Sequence, residues 1–137
     1  MDSVPLPPSI VNEESFPKVE YIPFKERFNL IREHIRSYNS SIVSLYEVDN
    51  FEDYSDFLEK EGYLVHYNSV KDRTCKDTTW GIVVAVRASD WKVLGYDQKM
   101  FKDSTAQQYW VLKLENNKTK NKLTLISTHL ISKVFNE

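Results

Sequence analysis

From Phe24 the apolar residues fall at Phe24, Phe28, Ile31, Ile35 and Tyr38. This 4-3-4-3 spacing lays one stripe along a helix, with Lys25, Glu26, Arg32, Glu33 and Arg36 outside it. Pro23 sits at its start, where a missing N–H costs nothing. Asn39-Ser40 breaks the pattern, and Ile42-Val43-Ser44-Leu45-Tyr46 follows as a nearly continuous apolar run. Such a run after an amphipathic helix predicts a strand covered on both faces. Asn50 or Asp53 is placed to cap a second helix reaching Lys60, with Tyr54, Phe57 and Leu58 turned inward and Gly62 closing it. Tyr63 to Tyr67 reads as a strand and Asn68 to Thr79 as a polar loop. Trp80 to Val86 is β-rich and apolar throughout, a central strand, and Trp91 to Leu94 is expected to pair beside it. Tyr109 to Leu114 and Lys122 to Thr128 form a hairpin around a turn from Glu115 to Asn121.

Helices early and β-pairs later predict an α/β fold with one layered sheet of mixed direction. Residues 1–22 hold four of the five prolines and little periodicity, an extended lead-in; residues 23–137 form the domain. At 137 residues the chain fits one domain with its own core.

A net charge of −2 excludes a strongly basic surface that would grip nucleic acid unaided, so such a substrate would be held by a metal and a few placed cations. The single cysteine, Cys75, excludes an intramolecular disulfide framework and suits a reducing compartment. No run approaches the length of a membrane helix, and the N-terminus lacks the basic start and apolar core of a secretion signal. The expected location is the cytoplasm, away from membranes.

Two polar residues stand where strands run out: Glu47 after Ile42–Tyr46, and His129 after Leu123–Thr128. Ligands in open α/β sheets collect outside strand ends. A carboxylate there can hold Mg²⁺, which favours oxygen ligands and keeps waters for substrate phosphates to displace. An imidazole nearby can hydrogen-bond a phosphoryl oxygen. Spacing alone does not favour function for either: a Glu after a strand is more often a solvated loop residue or cap partner, and a Thr-His-Leu more often structural.

The segment Ser44-Leu45-Tyr46-Glu47-Val48-Asp49-Asn50-Phe51, after the helical stretch Arg27 to Tyr38, resembles the Leu-Gln-Glu-Val-Asp segment of the exonuclease–endonuclease–phosphatase superfamily. The likeness runs on in order through Phe57-Leu58, Gly62-Tyr63, Lys71 and Gly81-Ile82-Val83-Val84. It ends at Ser127-Thr128-His129-Leu130, similar to the family's Asn-Thr-His-Leu, and the branch it most resembles is that of nocturnin, Angel and the deadenylases. The resemblance implies the N-terminal half of a four-layer α/β/β/α sandwich. It implies Glu47 as ligand of a catalytic Mg²⁺ (Mn²⁺ as the substitute), His129 as a catalytic residue against the scissile phosphate, and Lys71 as a substrate-phosphate contact. The implied activity is metal-dependent phosphodiester hydrolysis, 3′-exonucleolytic on RNA or directed at a nucleotide phosphate, by in-line attack of water.

Three departures accompany it. Residues 1–22 hold no counterpart of the family's first strand, Tyr46 stands for the usual glutamine, and Trp80-Gly81 replaces Asp-Gly with Asp77 displaced upstream. The family's Gly-Asp-x-Asn segment and final Asp-His pair lie beyond Glu137, so an incomplete domain is expected. A broad sheet face is then expected to stay bare and to be covered by a protein partner or by self-association. The alternative reading is a catalytically inactive relative serving as an interaction module.

Overall fold

A computed structural model of the chain describes residues 22–71, 79–101 and 108–129; the lead-in up to residue 21, Cys75 and Asp77 lie outside the described residues. The elements in chain order are α1 (Phe24–Tyr38), β1 (Ile42–Val48), α2 (Phe51–Lys60), β2 (Tyr63–Lys71), β3 (Thr79–Arg87), β4 (Trp91–Met100), β5 (Gln108–Asn116) and β6 (Lys122–Thr128). Pro23 is the N-cap residue of α1, and Asn39 ends the helix in the left-handed conformation (φ 49°) that a short amide side chain tolerates. Phe24, Phe28, Ile31 and Ile35 pack on the core, but the stripe stops there. Tyr38, on the same stripe by spacing, is exposed beyond the packed layer. Gly62 turns the chain out of α2 at φ 86°.

The strands form two antiparallel sheets, β1-β3-β2 and β4-β5-β6, in place of the single mixed sheet expected. Alternation along β3 explains how its continuous apolar run is used. Val83 and Ala85 face Tyr54, Phe57 and Leu58 of α2, while Ile82, Val84 and Val86 face Trp110, Leu112 and Leu114 of β5. The layers are therefore helices, first sheet, second sheet: three of the four in an α/β/β/α sandwich.

Trp91–Leu94 does not pair with β3. The chain turns a corner at Ala88–Asp90, where the Asn117 side chain donates to the carbonyls of Ala88 and Ser89. Trp91 Nε1 donates to Ser41 Oγ at 3.1 Å, and the strand departs into the second sheet. The two sheets cover each other through their inner faces. On the outer side of the second sheet, among the described residues, Tyr109, Val111 and Ile126 lie among Lys99 and Lys113 around an open hollow of about 500 Å³. Among the described residues no helix is long and apolar enough to cross a membrane.

Candidate functional site

Glu47 and His129 belong to different sheets, and the sandwich brings them together. His129 Nε2 lies 3.7 Å from Glu47 Oε1; the glutamate side chain is 72% exposed and the imidazole 32%. Glu47 owes its direction to a bulge in β1. Leu45 pairs with Val83 and Val48 with Gly81, so Tyr46 and Glu47 together oppose the single residue Ile82. Such a bulge bends the strand and re-aims a side chain. Here Glu47 takes φ 56°, left-handed backbone that a non-glycine residue adopts at a cost. Gly81, the β3 partner of Val48, lets β2 approach closely on the other side, since a Cβ there would stand 2.1 Å from the Asn68 carbonyl oxygen and 2.5 Å from the Tyr67 ring.

The imidazole of His129 is held between two rings, Tyr46 at 5.6 Å and Trp80 at 5.9 Å between centroids. Its Nδ1 is buried and has no hydrogen-bond partner among the described residues. Below it, Ser127 Oγ lies 2.7 Å from Ser44 Oγ and 3.2 Å from the Tyr46 hydroxyl. Sequence reasoning marked Tyr46 and Trp80 only as departures from the family pattern and passed over Ser44 and Ser127. Ser44 carried a signal, a small hydroxyl inside the apolar run Ile42–Tyr46.

Lys71 ends β2, paired with Thr79, rather than lying in the loop expected there; its side chain is outside the described part. The polar run from Asn68 joins the ladder because Ser69 and Val70 find partners in Gly81 and Trp80. Among the described residues no group of three or more His, Cys, Asp or Glu side chains converges to cage a metal. One exposed carboxylate at a strand end nevertheless fits Mg²⁺, which binds through one or two carboxylates and completes its shell with water and phosphate. A separate cleft of about 590 Å³ opens between the edge strands β2 and β4, lined by Leu64, His66, Leu94 and Tyr96 among others, and touches neither Glu47 nor His129.

Helices over two facing sheets are also the fold of an endonuclease/exonuclease/phosphatase from Bacteroides vulgatus, which superposes at TM-score 0.59 and 17% identity over 77% of this chain and 44% of that one. The human nocturnin catalytic domain with bound sulfate superposes at TM-score 0.77 and 23% identity, covering 85% of this chain and 47% of that one. ANGEL2, a 2′,3′-cyclic phosphatase in complex with adenosine-2′,3′-vanadate, gives TM-score 0.67 at 19% identity over 80% and 33% of the two chains. TDP2 of D. rerio with its single-strand DNA product gives 0.67 at 18% over 85% and 44%. The chain spans less than half the length of these structures. No family model and no curated protein sequence matches it.

Proposed function

We propose that the chain belongs to the endonuclease/exonuclease/phosphatase superfamily and is a metal-dependent phosphodiesterase-type hydrolase of nucleic-acid or nucleotide phosphates, with RNA 3′ ends as the first-ranked substrate. The convergence of Glu47 and His129 at 3.7 Å from two different sheets carries this reading. Glu47 would hold Mg²⁺, which when bound supplies positive charge to a phosphoryl oxygen. His129 stands beside that carboxylate with Nε2 toward it, placed to donate to a phosphate oxygen as negative charge builds there. Trp80 and Tyr46 close around the imidazole and limit its reorientation. The ligands of the solved neighbours, a sulfate, an adenosine vanadate and a DNA product, share tetrahedral or phosphate-like chemistry with this assignment. Lys71 is retained as a phosphate contact by resemblance alone.

Hydrolysis of a labelled RNA with an adenylate 3′ end, in Mg²⁺, tests it. Glu47→Gln and His129→Ala are each expected to lower the rate about 100-fold or more; equal rates in all three proteins contradict the assignment. A second reading, metal and phosphate binding without turnover, is favoured by the small donor set among the described residues. RNA retention that Mg²⁺ strengthens and Glu47→Gln removes, with no product formed, selects it.

A further inference from the structure

We propose that Tyr46 and Ser127 are positioning residues that lock the two sheets together directly beneath Glu47 and His129; what the locked pair does rests on the function proposed above. The packing between the sheets is dominated by Ile82, Val84 and Val86 against Trp110, Leu112 and Leu114. Apolar contact is non-directional, whereas a hydrogen bond fixes a distance and an angle. Among the described residues, side-chain hydrogen bonds between the sheets gather at the two ends of this apolar layer. At the far end are those made by Trp91 and Asn117 at the corner. At the near end is the hydroxyl cluster of Ser44, Tyr46 and Ser127.

The near cluster sits where it controls the site. Tyr46 is bonded to Glu47, and Ser127 precedes by two residues His129, which directly follows the end of β6. The bond from the Tyr46 hydroxyl to Ser127 thus joins the bulge of one sheet to the last turn of ladder in the other. Ser127 is 3% exposed, so its hydroxyl depends on these partners; with one proton and two lone pairs it serves both Ser44 and Tyr46. The same Tyr46 ring packs on His129 at 57°. One phenol, 43% exposed, therefore touches the other sheet through its oxygen and stands beside the imidazole with its ring. A displacement of about 1 Å at a reacting group costs on the order of 100-fold in rate, which is the scale on which such a clamp acts.

The test is nuclear magnetic resonance of the His129 imidazole in the full chain without metal, with signals assigned by His129→Ala. Tyr46→Phe keeps the ring and removes the hydroxyl, and Ser127→Ala removes its partner. Both variants are expected to shift and broaden the His129 signals in the same way while the Leu112 and Val84 methyl signals stay in place. Unchanged His129 signals in Tyr46→Phe overturn the proposal. So does a disturbance that spreads equally to Leu112 and Val84, because that marks general loosening. Adding Mn²⁺ to the wild type reads the proposed function separately: failure to broaden His129 rejects the metal site, while the metal-free spectra still decide the clamp.

Discussion

Glu47 is the most strained residue that the site uses. A non-glycine side chain at φ 56° costs roughly 1–2 kcal/mol, and the bulge keeps it there while aiming the carboxylate outward. Glu47→Gly is therefore expected to stabilise the fold, by about 1 kcal/mol in denaturant unfolding, while removing the site's carboxylate. A loss of stability would mean that the bulge is held by the side chain itself. His66 offers a second residue-scale prediction. Burial against Tyr96 and Trp110 lowers its pKa from 6.5, partly offset by a backbone hydrogen bond at Val84. As pH falls through 6.5 the unfolded chain takes up a proton that the folded imidazole resists, so stability falls with pH in that window. The melting temperature of the wild type should drop more steeply than that of His66→Gln between about pH 7.5 and about 5.5; parallel curves would show that His66 does not set this pH dependence.

At the scale of elements, Gly81 is the position with least tolerance. Gly81→Ala drives a Cβ into the Asn68 carbonyl, and a backbone atom cannot swing aside, so a loss of about 3 kcal/mol is expected in denaturant unfolding. Wild-type stability in this variant would show that β2 can move off β3 freely. Much of the element plan was legible in the sequence. The span of α1, the turn at Gly62 and the bounds of β6 all followed from local spacing and turn chemistry. The pairing of β4 was not legible. Trp91–Leu94 follows β3 after only a short turn, and the side chain that binds the carbonyls of that corner, Asn117, is distant in sequence. The bulge at Tyr46-Glu47 was hidden for a similar reason, since it exists only relative to the register of β3. His129 was thus visible as a strand end, while Glu47, expected just after the strand, lies inside β1 at its bulge; their approach and the hydroxyl cluster depend on how two sheets face each other.

For the whole molecule, the fold stands on two apolar layers, one under the helices and one between the sheets. Leu112 is fully buried in the second, so Leu112→Ala is expected to cost about 3 kcal/mol and to loosen the meeting of β1 with β6 as well. Unchanged stability would show that the sheets do not depend on each other. The site is a product of that same sandwich, because neither sheet holds both of its groups. The most direct test of the central claim, that Glu47 and His129 together form a metal and phosphate site, is Mn²⁺ titration of the full chain followed at the His129 imidazole signals. Saturable paramagnetic broadening in the wild type that Glu47→Gln abolishes is the predicted result. Broadening that persists unchanged in Glu47→Gln, or none in the wild type, would contradict it.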